Sequence, residues 1–285
     1  MEILKINNGN INDVFIIKIQ KSKYIMRASD FNNDFECKIL KLLIQNNINA
    51  PNILTKFKLH KKNIMIYKYI EGEQPQRIDK DFLKLLSKEI IKLHNVKQQF
   101  KKKEYQDNEE SILKLNQYYN IAIKSKYLES DVSLIKKLYK EVKNINFEKL
   151  PTCIIHSDLK EENILINKNK IYLIDFGNTY IGNRLIDLIR VIMWFFIKKD
   201  NWDIEMIKFF ISYYFKNSIQ ILPIEKENIS LLIKYCILYN LLKDLYLYEN
   251  SKLGTEYIEK NSLIWLETLK NKSKLTQIEE VFKNA

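Results

Sequence analysis

Turn-forming residues are scarce in this 285-residue chain, which has five glycines and four prolines. A β-sandwich or a propeller needs many more of them for its hairpins. The three cysteines and three histidines are widely spaced and match no zinc or iron–sulfur pattern. Unpaired cysteines and the lack of a signal-peptide pattern lead us to expect a cytoplasmic protein. The longest uncharged apolar stretch, residues 191–197, is too short for a membrane span of ~20 residues.

Arginine is also rare. Only four of the 47 basic residues are arginine, although the net charge is +12. Surfaces that read bases or clamp nucleic-acid phosphates depend on arginine, and the densest basic run spans only residues 101–103. We therefore expect no nucleic-acid partner, while a small anionic ligand such as a nucleotide suits the charge. With 46% hydrophobic and 29% charged residues, the composition is that of a helix-rich globular protein.

The first 71 residues carry the signals of a small sheet with one helix. Apolar residues recur at three-to-four spacing after residue 30, which predicts a helix that ends near residue 46 and is capped by Ser29 or Asp30. Segments rich in β-branched and aromatic residues predict strands at residues 11–19, 24–27, 53–60 and 63–70.

Beyond a linker at residues 71–75, helical periodicity dominates. Short strands are predicted at residues 153–155, 163–166 and 171–174, and the chain after Gly177 is predicted to run directly into a helix. Helices are predicted at residues 82–94, 104–146, 185–197, 204–215, 228–248 and 256–269. The pattern predicts an α+β fold with an antiparallel-sheet lobe of residues 1–71 and a larger, mostly helical lobe of residues 72–285.

The segment around residue 158 combines polar residues with short strands. Asp158 and Asn163 precede an apolar strand, and the next strand leads to Asp175. Because the two strands of a hairpin lie side by side, we expect these three side chains to converge at one edge. Two carboxylates and an amide suit Mg²⁺. Phosphoryl transfer needs such a metal, a carboxylate that orients the attacking hydroxyl and positive charge near the phosphates.

The order His156-x-Asp158-x-x-x-x-Asn163, followed by Asp175-Phe-Gly, resembles the catalytic loop of kinases. It is most similar to the aminoglycoside phosphotransferase and choline kinase superfamily of small-molecule kinases. The resemblance implies a bilobal protein-kinase-like fold, with Asp158 as catalytic base, Asn163 and Asp175 as Mg²⁺ ligands, and His156 as structural support of the loop. The alternative for each residue alone is a structural role in a turn or a strand end.

The resemblance extends to the nucleotide site. Arg27 matches the phosphate-contacting position of the family, and Glu36, nine residues later, is placed to pair with it. Gly9 and Asn12 lie where the family has its nucleotide loop, although the three glycines of protein kinases are missing. A hinge around Tyr69 would bind the base through backbone groups, so the implied donor is ATP and GTP stays open.

The chain after Asp175 separates two kinds of kinase. Protein kinases carry a long activation segment that ends in Ala-Pro-Glu, and this sequence has neither. Asp187 stands where the small-molecule family has a carboxylate that braces the catalytic loop. The alternative for Asp187 is an acidic residue at a helix N-terminus, which the helix dipole stabilises.

The expected function is transfer of the γ-phosphate of ATP to a hydroxyl of a small molecule. An aminoglycoside-like amino sugar is the first candidate acceptor, and choline, ethanolamine or a homoserine-type metabolite is the alternative. A non-catalytic module that binds nucleotide or nucleic acid is the alternative of another class. Acidic residues that could line the acceptor pocket are Asp107, Glu109, Glu110, Asp203 and Glu205.

Overall fold

A five-stranded antiparallel sheet forms the N-terminal lobe, with strand order β1–β2–β3–β5–β4. The structure is a computed structural model that describes residues 1–6, 13–97, 100, 107–198 and 201–285, with the side chains of 108 and 109 excepted. The strands are β1 (Glu2–Ile6), β2 (Asp13–Ile19), β3 (Ser22–Ser29), β4 (Ile53–Leu59) and β5 (Lys62–Lys68).

Helix α1 (Asp34–Gln45) packs beneath this sheet. Its buried face includes Leu40 and Leu43, and Cys37 contacts Met65 of β5 with its sulfur 3.3 Å from the thioether. Strands β3 and β5 pair with Arg27 opposite Met65. The helix and the two central strands therefore place Arg27 and the first turn of α1 next to each other.

The C-terminal lobe is mostly helical. Its longest helix, α7, has a buried central stretch and contacts five other helices, α3, α4, α5, α9 and α10. Two segments adopt π-helical geometry, Ile192–Phe196 and Ile258–Ser262. The α-helices are α2 (Lys80–His94), α3 (Asn108–Ala122), α4 (Val132–Val142), α5 (Leu185–Val191), α6 (Ile204–Lys216), α7 (Pro223–Glu249), α8 (Thr255–Tyr257), α9 (Leu263–Lys270) and α10 (Lys272–Lys283).

Two small antiparallel pairs of strands lie between the helices. Strand β6 (Cys153–Ile155) pairs with β9 (Tyr180–Gly182), and β7 (Ile164–Asn167) pairs with β8 (Lys170–Leu173). The prediction that the chain runs directly from Gly177 into a helix was wrong, because β9 intervenes before α5. Strand β6 is almost completely buried, and its polar backbone groups need a partner that β9 provides.

Other predicted elements also differ from the structure. Helix α1 begins at Asp34 after Asn33, so the predicted cap at Ser29 or Asp30 was wrong; Ser29 Oγ instead accepts a hydrogen bond from the amide of Phe31. The segment predicted as one helix at 104–146 contains two, α3 and α4, and its residues 104–106 lie outside the described part. Strand β1 was not predicted.

The segment between β5 and α2 connects the two lobes. Glu73 and Ile166 exchange two backbone hydrogen bonds, of 3.1 and 2.8 Å, so the segment pairs with β7. The boundary at residue 71 stays a prediction. In the described parts of the chain, no helix has the length and apolar character that crossing a membrane requires.

Candidate functional site

Asp158 and Asn163 are in direct contact at the edge of the β7–β8 hairpin. The amide Nδ2 of Asn163 donates to the backbone oxygen of Asp158 at 2.8 Å and to its carboxylate Oδ2 at 3.1 Å. Asn178 Nδ2 lies 3.5 Å from the same carboxylate oxygen. The carboxylate of Asp158 is therefore held in one orientation while the side chain remains half-buried.

The loop that carries Asp158 is fixed from below by Asp187. This carboxylate is fully buried and accepts hydrogen bonds from the amides of His156 and Ser157 at 2.8 and 2.6 Å. This geometry suits a residue that braces the loop, and that role of Asp187 stays a prediction. It is also compatible with the position of Asp187 in the first turn of α5.

Two further residues extend this network, and the sequence analysis missed both. His94 Nε2 lies 3.1 Å from Asp187 and donates to it, since a carboxylate can only accept. Its other nitrogen lies 2.7 Å from the hydroxyl of Tyr214. His94 ends α2 and Tyr214 lies on α6, so three helices meet at the base of the loop.

His156 connects the loop to the segment that carries Asp175. Its Nε2 lies 3.0 Å from the carbonyl oxygen of Ile174, and the amide of Asp158 donates to its Nδ1 at 3.3 Å. The pattern assigns the ring proton to Nε2. The ring is buried and packs against Phe176 with centroids 4.6 Å apart, and the role of His156 as structural support of the loop stays a prediction.

Asp175 meets Arg27 of the N-terminal lobe. Arg27 donates to Asp175 Oδ1 at 3.1 Å and also contacts the carboxylate of Glu36, so the predicted Arg27–Glu36 pair is present. A side-chain carbon at Gly177 would lie 3.3 Å from Asp175 Oδ1 and 3.7 Å from Arg27. The glycine leaves room for this contact between the lobes.

The backbone at the site adopts a conformation that L-residues rarely use. Ser157 has φ 66° and Asp175 has φ 62°, both in the left-handed region. Such conformations cost about 1–3 kcal/mol each and persist where the surrounding structure enforces them. Here the hydrogen bonds of Asp187 hold Ser157, and the contact with Arg27 holds Asp175.

Charges of opposite sign surround each of the two central groups, Asp158 and Arg27. Burial raises the pKa of Asp158, but the charges of Lys160 and Lys243 outweigh it, so that the pKa is lowered overall. Burial opposes the charge of Arg27, yet Glu36 and Asp175 raise its pKa above the ordinary value. Asp158 is thus an ionised acceptor of hydrogen bonds, and Arg27 is a permanent cation.

The side chains around Asp158 offer only a few ligands for a divalent ion. No group of three or more His, Cys, Asp and Glu residues that could hold a metal exists among the residues with described positions. Asn163 offers an amide group in contact with Asp158, and Asp175 offers a carboxylate on the adjacent segment, where the amide of Ile174 donates to the backbone oxygen of Asn163. A few protein oxygens supplemented by water and phosphate suit Mg²⁺, so the chemistry of these residues fits it.

The structure says little about the other residues that were predicted to bind the nucleotide. Gly9 and Asn12 lie outside the described residues. Tyr69 follows β5, and its amide donates to the carbonyl oxygen of Lys23 at 3.3 Å. The role of Tyr69 in binding a base stays a prediction.

The structure gives little support to the acidic residues suggested for an acceptor pocket. Asp203 caps α6 by accepting from the amide of Met206, and the exposed Glu205 pairs with Lys208. Asp107 accepts from the amide of Glu110 at the start of α3, and the side chain of Glu109 is not described. Asp244, on α7, is a buried acidic residue that the sequence analysis did not single out.

The sequence is similar to one protein family and to one curated relative. A family model described as the phosphotransferase enzyme family matches residues 2–214. The protein LicA homolog of Mycoplasma capricolum is 26% identical over 150 residues, which are 53% of this chain and 57% of that protein. The chain therefore matches little more than half the length of this curated relative.

Several solved structures have a similar fold over nearly the whole chain. Spectinomycin phosphotransferase in complex with ADP and spectinomycin has a TM-score of 0.69 at 14% identity, covering 99% of this chain and 93% of that one. Plasmodium vivax ethanolamine kinase has a TM-score of 0.75 at 20% identity, covering 97% and 83%. Choline kinase from Cryptosporidium parvum has a TM-score of 0.68 at 18% identity, covering 98% and 91%. These similarities confirm the predicted bilobal protein-kinase-like fold.

Proposed function

The chain belongs to the phosphotransferase enzyme family, and from this premise we propose that it transfers the γ-phosphate of ATP to a hydroxyl of an amine-bearing small molecule. An aminoglycoside-like amino sugar is the first candidate acceptor, and an amino alcohol such as choline or ethanolamine is the second. The names of the spectinomycin, ethanolamine and choline kinases support this acceptor class. The ADP and AMP in the complexes of spectinomycin phosphotransferase support a nucleotide donor.

The observation that carries the proposal is the orientation of Asp158. Its carboxylate is held by Asn163 in a loop that Asp187 braces from below. An ionised carboxylate in this position accepts the proton of the acceptor hydroxyl and directs its oxygen toward the phosphate. Positioned acid–base groups of this kind typically contribute 10²- to 10⁴-fold to a rate.

The negative charge of the phosphates is balanced by positive charge near Asn163, Asp175 and Arg27. Mg²⁺, when bound, neutralises charge on the transferred phosphate, and Asn163 and Asp175 are the residues that would hold it. Arg27 presents a guanidinium whose fork suits phosphate oxygens. Its contacts with Glu36 and Asp175 orient it toward the junction of the two lobes.

The test is a phosphorylation assay with spectinomycin, choline and ethanolamine as acceptors and with ATP or GTP as donor. Product is detected by mass spectrometry, and nucleotide binding is measured by calorimetry. Asp158→Asn should lower kcat by about 10²- to 10⁴-fold and leave nucleotide affinity within about twofold. The matched control is Asp81→Asn, an exposed carboxylate on α2, which should behave like the parent. An unchanged kcat in Asp158→Asn would contradict the assigned role.

A further inference from the structure

Asp175, one of the two residues proposed to hold Mg²⁺, is in contact with a cation of the protein itself. Arg27 Nη1 donates to its Oδ1 at 3.1 Å, while Nη2 of the same guanidinium contacts Glu36 on α1. Within the described parts of the chain, no other cation lies at ion-pair distance from Asp175. The carboxylate is 43% exposed, so an ion from solution can reach it only in competition with Arg27.

Asn163, the other residue proposed to hold Mg²⁺, has no such competitor. Its side-chain nitrogen donates to the backbone and the carboxylate of Asp158. Its amide oxygen accepts no hydrogen bond from any residue that the structure describes. One of the two candidate ligands is therefore free, and the other is paired with a guanidinium.

The charges around Asp175 favour one cation at a time. Arg27 carries one positive charge and faces the two carboxylates of Glu36 and Asp175, so one negative charge is left over. This excess attracts a further cation to the exposed carboxylate. A guanidinium and a divalent ion on the same carboxylate oxygen repel each other, however, and the repulsion is strong where water is partly excluded.

Arg27 is not fully satisfied in its present position. Its Nε is buried and has no hydrogen-bond partner among the described residues, and its side chain is only 9% exposed. Phosphate oxygens accept hydrogen bonds from two nitrogens of a guanidinium at once. The phosphates of a nucleotide therefore offer Arg27 more acceptors than Asp175 does.

We propose that Arg27 and the divalent ion compete for the carboxylate of Asp175, and that the nucleotide decides the competition. Without nucleotide, Arg27 holds Asp175 and keeps the ion out. When Arg27 turns to the phosphates, Asp175 is released and becomes available as a ligand. The inference rests on the proposed function, in which Arg27 binds phosphate and Asp175 holds Mg²⁺. It adds an order: the metal binds with or after the nucleotide and not before it.

The exchange requires only a local movement. The contact between Nη2 and Glu36 keeps Arg27 on α1 while Nη1 changes its partner. Gly177 has no side chain, and a carbon there would lie 3.3 Å from Asp175 Oδ1 and 3.7 Å from Arg27 Nη1. The glycine therefore leaves space on this side for both groups to turn.

The first experiment measures Mn²⁺ binding without nucleotide, by the electron paramagnetic resonance signal of the free ion. Arg27→Met/Glu36→Leu removes one cation and one anion, so the net charge stays that of the parent. It should bind Mn²⁺ about tenfold more tightly or better, since a charged hydrogen bond no longer occupies the carboxylate. Adding Asp175→Asn should abolish the gain. The matched control is Lys208→Met/Glu205→Gln, an exposed ion pair of α6, which should bind Mn²⁺ like the parent.

The second experiment measures ATP binding by calorimetry, once in EDTA and once in Mg²⁺. Asp175→Asn frees Arg27 for the phosphates, so in EDTA the variant should bind ATP about fivefold or more tightly than the parent. In Mg²⁺ it should bind ATP more weakly, because a metal ligand is lost. Asp158→Asn is the matched control, since it neutralises a carboxylate of the same site that does not contact Arg27. Its ATP affinity should stay within about twofold of the parent.

Neither experiment uses an acceptor, so the outcomes are separate from those that test the proposed function. Equal Mn²⁺ affinities of the parent and Arg27→Met/Glu36→Leu, or a gain that survives Asp175→Asn, would overturn the competition and leave the kinase function intact. If the double variant does not fold, ATP binding decides, and an EDTA affinity of Asp175→Asn no higher than that of the parent would refute the inference. A parent that shows the expected binding but phosphorylates no acceptor would overturn the proposed function alone.

Discussion

Arg27 and Glu36 form a buried ion pair that extends to Asp175 on the other lobe. The side chains of the pair are 9% and 6% exposed, so each charge depends on its partner. Removing one partner of such a pair typically costs about 3–5 kcal/mol, whereas replacing both by apolar residues is often neutral. Comparing a single with a double variant therefore separates the contribution of Arg27 to stability from its contribution to ATP binding.

We expect Arg27→Met alone to lower the free energy of unfolding by about 3–5 kcal/mol, because Glu36 is left buried without a counter-ion. The double variant Arg27→Met/Glu36→Leu should recover most of that loss. Both variants should show a raised KM for ATP, since neither presents a cation to the phosphates. Urea unfolding and steady-state kinetics measure the two effects. A double variant with the stability and the ATP affinity of the parent would show that Arg27 is dispensable.

The contact between the candidate site residues Asp158 and Asn163 was predictable because they lie close together in sequence. Asp158 and Asn163 are five residues apart, and their spacing is set by one loop and one hairpin. The residues that support the loop through Asp187, His94 and Tyr214, were not predictable from the sequence. His94 is 93 residues from Asp187 and 120 from Tyr214, and a lone histidine at the end of an amphipathic helix carries no local signal. Such partners become visible only when the helices have packed.

The segment between β5 and α2 leaves no room for a side chain at Gly72. Gly72 lies where a side-chain carbon would come within 3.0 Å of the backbone oxygen of Ile166 and 3.2 Å of Leu165. Ile166 cannot move freely because it exchanges two hydrogen bonds with Glu73. The glycine therefore allows the segment to pair with β7, beside the loop that carries the candidate catalytic residues.

Gly72→Ala should destabilise the protein by about 1–3 kcal/mol, the usual cost of inserting a methyl group into a tight contact. It should also raise the KM for ATP, since the segment joins the sheet to the hairpin. Gly254→Ala is the control, because a side-chain carbon there meets no heavy atom within 4 Å. Thermal unfolding of the two variants checks the prediction. Equal melting temperatures would show that the segment between β5 and α2 accommodates the added methyl group without loss of stability.

Elements with strong periodicity were predicted well, and weakly patterned ones were not. Helix α2 was predicted at residues 82–94 and spans Lys80–His94, because its apolar stripe packs on the core. Strand β1 has four exposed residues out of five and shows no buried face in its pattern. Strand β9 has only three residues, and its pairing with β6 depends on a segment 25 or more residues away. Both strands form because they pair with another strand, β1 with β2 and β9 with β6, and not because their own sequences favour a strand.

The molecule as a whole brings the site together from both lobes. Arg27 comes from the sheet and Asp175 from the loop after β8, while Asp158 belongs to the helical lobe. The sequence predicted this division because strand and helix signals segregate along the chain. It did not predict Asp244, since one acidic residue in a long helix is ordinarily exposed. Its burial is a property of the packed helical lobe.

The burial of Asp244 has a consequence for the stability of the whole protein. Its pKa is raised from an ordinary 3.8 to about 6, so the folded state holds the proton more tightly than the unfolded state. The stability due to this group is complete below about pH 4. It is lost as the pH rises through about 6, and above that pH the ionised carboxylate costs about 3 kcal/mol, at about 1.4 kcal/mol for each pKa unit.

Asp244→Asn removes this cost, because the amide does not ionise and still accepts the hydrogen bond that the Ser262 hydroxyl donates. The free energy of unfolding of the variant should therefore exceed that of the parent at pH 8 by as much as about 3 kcal/mol. The difference should shrink toward zero at pH 4, where the carboxyl group is neutral in both states. Subtracting the two urea-unfolding profiles cancels the other titrating groups. A variant less stable than the parent at pH 8 would show that the ionised carboxylate of Asp244 stabilises the fold.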